Sequence, residues 1–198
     1  MSENDPPFTM SALVWHPRIS WVEIESAEQE QRDALLKSGK ASSGSLYSRT
    51  LAHDPPSLVT RAALYDLVMY APEGLDSMHR ELAALTVSMI NGCRYCASVH
   101  SRRLAQLSKN RAGVQEILAG GPGLTDDPRA AALARVAIAL TDMPSSFGPE
   151  HVIGLRDEGW TDVEIFDAVN VSAMFAWANR LMQTLGDSSA AQPVKLSS

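Results

Sequence analysis

The twenty residues 81–100, ELAALTVSMINGCRYCASVH, decide how this chain folds. They open on an acid, Glu81, run through apolar and small residues to Asn91-Gly92, and then present Cys93, Cys96 and His100. Asn-Gly is a helix-stopping pair, because both residues tolerate positive φ. In one unbroken helix Glu81 would lie about 18 Å from Cys93, at about 1.5 Å per residue. If the pair turns the chain back, two antiparallel helices result. Glu81 then stands about 15 Å from the corner on one arm and His100 about 10 Å along the other, so carboxylate and imidazole can approach across the hairpin.

The sequence on either side has the same helical grain. Ser57 is a cap candidate for a helix through Tyr70 with Leu58, Ala62, Tyr65 and Met69 on one stripe, ended by Ala71-Pro72-Glu73-Gly74. Asp76 or Ser77 opens the helix that reaches Asn91, and Cys93 to about Ser108 forms the next. A short segment over 113–119 stops at Gly120-Gly121-Pro122-Gly123. Asp126 or Asp127 with Pro128 opens an Ala-rich helix to about Thr141, closed by Met143-Pro144. A segment over 149–158 ends at Gly159, and Thr161 with Glu164 makes a capping box for a long last helix to about Leu185. No stretch sustains the two-residue alternation of a strand, so the expected class is all-α. Residues 1–50 read as an arm with a short helix over 26–36 and a loop, 51–186 as the helical domain, and 187–198 as a disordered tail.

Composition narrows the function. The 198 residues are 45% hydrophobic and 20% charged, a globular balance with enough apolar residues for a core. A net charge of -6, from 17 basic and 23 acidic residues, offers no basic excess to follow nucleic acid or an anionic membrane. Apolar runs stay far below the roughly 18 to 20 residues needed to cross a bilayer. No basic, apolar leader is visible at the start, so a cytoplasmic, reducing setting is the expectation. Gly39-Lys40 does not begin a phosphate-binding loop, because Ala34 and Ala41 stand where that motif needs Gly and Ser or Thr.

The two cysteines, Cys93 and Cys96, close too small a loop to staple a fold, so their interest is chemical. At a helix mouth, unpaired N–H groups and the positive end of the dipole favour a thiolate, and the two sulfurs are near enough to form a disulfide. His100, four residues after Cys96, shares its face and can exchange a proton with it directly or through water. The inferred relay runs from Glu81 to His100 to Cys96. Taken singly, each member has another reading: a Cys-x-x-Cys can be inert or bind metal, His100 can be a solvated helix residue, and Glu81 a favourable first-turn charge. Val87 and Ile90 read as core, and Ser88 as a residue permitting close helix packing. His16, His53, His79 and His151 read as solvated or capping, and Trp160, Trp177 and the methionines as packing residues.

Glu81, twelve residues, Cys93-Arg94-Tyr95-Cys96 and then His100 resemble the signature of the AhpD-like family, within the alkylhydroperoxidase and carboxymuconolactone decarboxylase superfamily. The resemblance spans roughly 46–185. It includes Asp54-Pro55, the Asn-Gly before the first cysteine, and Asn179-Arg180 with Leu185-Gly186, as in the peroxidase-related branch. It implies an all-helical fold whose helix hairpin carries the Cys-x-x-Cys, a homo-oligomer, and thiol peroxidase chemistry without organic cofactor or metal. Cys96 would attack a hydroperoxide, Cys93 would resolve the sulfenic acid as a disulfide, and a dithiol or thiol protein would reset the pair. Well-known peroxidase members carry His between the cysteines, where Tyr95 stands here. The decarboxylase branch lacks the pair, which argues against lactone decarboxylation. Two other functions stay open: a metal-binding or interaction module using Cys93, Cys96, His100 and Glu81, and a disulfide reductase without peroxidase turnover.

Overall fold

A computed structural model describes residues 8–39 and 43–190. Met1 to Pro7, Lys40 to Ser42 of the expected loop, and 191–198 of the expected tail lie outside the described residues. In chain order the elements are β1 (Leu13–Pro17), α1 (Gln29–Lys37), α2 (Leu46–Leu51), α3 (Pro55–Tyr70), α4 (Ser77–Ile90), α5 (Arg94–Ser108), α6 (Arg111–Gly120), α7 (Pro128–Thr141), α8 (Pro149–Asp157), α9 (Asp162–Leu185) and β2 (Gly186–Ala190).

Side-chain caps set most helix starts. Asp76 accepts from His79 N at 3.0 Å, Asn110 from Gly113 N at 2.9 Å and Asp127 from Arg129 N at 3.0 Å. Thr161 and Glu164 form the expected capping box. Asp54, rather than Ser57, caps α3, because Pro55 has no N–H to satisfy and fits the first helical position. Helix α6 begins earlier than expected because Asn110 supplies a cap, and α1 begins later, at Gln29.

The α4/α5 hairpin forms the centre, with α7 and α9 packed on α4 and α8 covering α7. Leu85, Val87, Ala97, Leu133, Val136 and Val171 are almost wholly enclosed there. Full burial of each larger aliphatic chain contributes roughly 1.5–3 kcal/mol. A second cluster joins Val22, Ala27, Ala34 and Leu35 to Ala52 and Leu58, so residues from the expected arm pack against the start of α3.

Among the described residues the fold is all-α apart from one two-stranded ribbon that the sequence reading missed. Strand β1 pairs antiparallel with β2, Trp15 opposite Ser188 and Pro17 opposite Gly186. The tail is therefore ordered through residue 190, which corrects the expectation of disorder from 187. Leu13 and Trp15 face inward while Val14 is exposed, an alternation too short to stand out in the sequence. Trp15 Nε1 donates to Met182 O at 3.0 Å. The Arg18 guanidinium donates to the carbonyls of Gln183 and Thr184 at the end of α9 and pairs with Asp187. Gly186 is required by close approach: a Cβ there would sit 2.4 Å from the Trp15 ring and 2.5 Å from His16 O.

Candidate active site

The corner between α4 and α5 is built as the Asn-Gly pair predicts. Gly92 N donates to Met89 O at 3.1 Å and Cys93 N to Ser88 O at 2.8 Å, the paired bonds that close a helix with a left-handed residue, here Gly92 at φ 70°. Helix α9 holds this corner from the side. Gln183 Nε2 donates to Asn91 O at 2.8 Å, and Asn91 Nδ2 donates to Asn179 Oδ1 at 3.1 Å. Asn179, fully enclosed, donates in turn to Ser88 Oγ at 3.2 Å. Ser88 is thus a hydrogen-bonding member of the corner rather than a packing residue alone.

The fold brings the four expected residues together as two pairs. Across the hairpin, His100 Nδ1 donates to Glu81 Oε2 at 2.6 Å, with both residues only 4% exposed. Glu81 therefore does not sit in solvent as a first-turn charge. The His100 ring stands edge-on to Phe175, centroids 4.4 Å apart. With Nδ1 committed, Nε2 is the nitrogen able to take a proton. The second pair is Cys93 and Cys96, both free thiols and both buried. Among the described residues no hydrogen bond joins His100 to Cys96. What links the pairs is a cavity of about 560 Å³ that both residues line, together with Arg61, Tyr47, Tyr65 and Phe175. Cys93 opens elsewhere, onto a cleft of about 460 Å³ beside Trp15, Arg18 and Asp187. Tyr95 borders both spaces.

The charge preference of the thiols differs from the expectation. Hydrogen bonding from the Cys96 thiol holds Cys93 below the ordinary thiol range against the cost of burial, with the Cys96 amide and Asn179 adding to it. The same contact, burial and the neighbouring Cys93 charge push Cys96 well up, opposed by Asn179 and Arg61. At rest the acidic member is Cys93, and Cys96 keeps the shared proton. Sequence spacing could not show this, because the decisive partners are the other thiol and a residue on α9.

Other expectations also change. Among the described residues no group of three or more potential metal ligands converges, and Glu81 accepts from His100. His79 is buried rather than solvated, its Nδ1 2.6 Å from Asp76 Oδ2 and its ring edge-on to Trp160. Trp177 is 43% exposed instead of packed away. Sequence reasoning passed over Arg61 and Tyr47 entirely and noticed Asn179 only as part of a resemblance. Asn179 could have been flagged as a polar residue on the buried stripe of a long helix, whereas Arg61 and Tyr47 carry no local signal.

The sequence profile of the carboxymuconolactone decarboxylase family matches residues 55–139, the span that holds the hairpin and its flanking helices. Over that span the chain resembles the carboxymuconolactone decarboxylase family. Among solved structures it is similar to a peroxidase-related protein with an alkylhydroperoxidase AhpD core from Ralstonia eutropha JMP134, at a TM-score of 0.73 and 24% identity, over 85% of this chain and 90% of that one. A peroxidase-related protein from Silicibacter sp. TM1040 follows at 0.72 and 22%, over 88% and 92%. The debrominase Bmp8 shares the fold at 0.69 and 18%, over 85% and 90%. A cysteine-to-alanine variant of Bmp8 has been solved with 2,3,4-tribromopyrrole. No curated protein matches this chain in sequence. Within this shared fold, then, the chain carries a buried dithiol at the hairpin corner and a carboxylate-held imidazole that lines the same cavity as Cys96. No helix among the described residues is long and apolar enough to cross a membrane.

Proposed function

We propose that this protein is a thiol peroxidase that reduces organic hydroperoxides through a Cys93–Cys96 dithiol/disulfide cycle. The observation that carries the reading is that Cys96 lines a cavity shared with His100, whose Nδ1 is held by a buried Glu81 at 2.6 Å. With Cys93 ionised the resting pair retains one proton, on Cys96, and its transfer from Cys96 to Cys93 makes Cys96 the thiolate without leaving two adjacent charges. The Cys96 thiolate attacks the terminal peroxide oxygen, the O–O bond breaks, and protonated His100 gives its proton to the departing alkoxide. Cys96 is now a sulfenic acid. The Cys93 thiol attacks it, the S–S bond forms and water leaves with the hydroxyl and the transferred proton. A dithiol or thiol-protein reductant returns both electrons. The cleft beside Cys93 is the natural side for its approach, since it lies apart from the hydroperoxide cavity. Homo-oligomeric assembly and a cytoplasmic setting belong to the same proposal.

The test is one equivalent of cumene hydroperoxide added to the reduced protein, followed by mass spectrometry of the peptide containing both cysteines. A loss of two hydrogens in the wild type and a trapped oxidised Cys96 in Cys93→Ser are expected. Persistence of both thiols, or undiminished turnover in Cys96→Ser with a dithiol donor, removes the mechanism. A second reading, dithiol-driven removal of halogen from an aromatic ring, draws on the aromatic walls of the Cys96 cavity and the fold shared with a debrominase. Halide release from a bromophenol in place of peroxide consumption would favour it.

A further inference from the structure

Arg61, on α3, stands at the cavity over Cys96 in a setting unusual for a cation. Its guanidinium carbon lies 5.3 Å from the Tyr47 ring centroid, 5.7 Å from that of Tyr65 and 5.9 Å from that of Trp177. Aromatic faces attract a guanidinium but leave its in-plane N–H donors unsatisfied. Arg61 makes no ion pair among the described residues. Its Nε is buried without a hydrogen-bond partner. The acids near this cavity do not complete it: Glu81 is engaged by His100, and Asp66, which lines the same space, is exposed and unpaired with Arg61.

A second donor is left over at the same place. Tyr47 is 8% exposed and lines the cavity; its buried oxygen interacts with the Arg61 guanidinium without a hydrogen bond of regular geometry, and its own O–H has no acceptor. Burial pushes the phenol up to about 12, with Arg61 pulling the other way, so it remains an O–H donor at neutral pH. Buried donors ordinarily find acceptors, because an unmet one costs roughly 1–3 kcal/mol. Two such donors, one of them cationic, facing one cavity need an anionic acceptor that bears at least two lone pairs. A carboxylate meets that need, taking the arginine fork and the phenol together.

We infer that Arg61 and Tyr47 form a seat for the carboxylate of the substrate, so that the preferred substrate is an organic hydroperoxide carrying an acid group at the end remote from the peroxide. The inference rests on the peroxidase reading above for the fate of the peroxide, but the seat itself does not. Tyr65 and Phe175 line the same cavity as the seat and Cys96, and its 560 Å³ accommodates an aromatic or short aliphatic body. The carboxylate is not consumed. It fixes the orientation that presents the terminal peroxide oxygen to the Cys96 sulfur.

The experiment uses the full-length reduced protein and two unreactive probes of equal shape, 4-isopropylbenzoate and 4-isopropylbenzamide. Calorimetry should find the acid bound about tenfold or more tightly than the amide, the size expected for one charge-assisted pair. Arg61→Gln should erase the difference and Arg61→Lys should retain part of it. Tyr47→Phe, which keeps the packing, should reduce it several-fold. The acid should also slow alkylation of Cys96 in the wild type, while the amide at equal concentration slows it less. Equal binding of acid and amide, an Arg61→Gln protein that holds the acid as the wild type does, or bound acid that leaves Cys96 alkylation untouched would each overturn the seat. In parallel, cumene hydroperoxide and its 4-carboxylate are compared as substrates, with a higher kcat/KM expected for the acid. Failure of both to turn over counts against the peroxidase reading alone, because the binding difference is measured without turnover.

Discussion

Glu81→Gln is the substitution that most directly tests the proposed relay. Glutamine has nearly the shape of glutamate and can still accept from His100 Nδ1, so the 2.6 Å contact is kept while its charge is removed. Both partners are 4% exposed, which limits any compensation by solvent. A hydrogen bond to a charged group contributes about 1.5–3 kcal/mol, against about 0.5–1.5 for a neutral one. The variant should therefore lose about 1–2 kcal/mol of stabilisation wherever His100 is cationic, which is the state that protonates the leaving alkoxide. At about 1.4 kcal/mol per tenfold, kcat/KM for cumene hydroperoxide should fall roughly 5- to 30-fold. Stopped-flow peroxide consumption with excess dithiol measures this, and far-UV circular dichroism confirms an unchanged helical content. Glu81→Ala, which also leaves the imidazole N–H unpaired, should lose more activity and lower the melting temperature. If Glu81→Gln turns over like the wild type, the carboxylate does not act through the imidazole and the relay is wrong.

The remaining predictions concern the thiols and the corner. In the reduced protein Cys93 ionises more readily than it does unfolded, so stability should rise with pH toward about 8.5, the ordinary thiol value. Above that the trend should reverse, because the unfolded chain ionises both thiols while native Cys96 keeps its proton. Chemical denaturation between pH 6 and 10 should show this maximum in the reduced form and a weaker one in the Cys93→Ser, Cys96→Ser double variant. Asn179→Ala removes a hydrogen bond that favours the thiolate, so the midpoint for iodoacetamide reaction at Cys93 should move to higher pH, with about 1–3 kcal/mol of stability lost from the orphaned corner groups. Gly92→Ala should cost about 1–2 kcal/mol in denaturant titration, because alanine is strained at φ 70° although space for its methyl exists, the nearest atom being Gln183 Nε2 at 3.8 Å. Trp15→Ala should cost about 3–5 kcal/mol and loosen residues 186–190 in hydrogen exchange, since it removes both a buried ring and the bond to Met182 O.

How far the sequence alone could be read follows the range of the forces involved. Helix starts and stops are settled within a few residues by caps, prolines and positive-φ positions, so Asp76, Asn91-Gly92, Asp127-Pro128 and Thr161 with Glu164 were legible without coordinates. The hairpin and the meeting of Glu81 with His100 followed from one turn between two regular helices, again a short-range matter. The pairing of residues 13–17 with 186–190 was not legible, because a five-residue alternation carries little signal until its partner, more than 160 residues away, is known. Ionisation of the thiols was likewise beyond the sequence. It depends first on the hydrogen bond between the two thiols, whose direction the spacing alone leaves open, and then on burial, on Asn179 from α9 and on Arg61 from α3, which only tertiary packing brings within reach. Thus local chemistry determined that this chain is a helical dithiol protein with an imidazole nearby. Long-range packing decided which sulfur is acidic, which cysteine lines the cavity, and what charge shares that cavity.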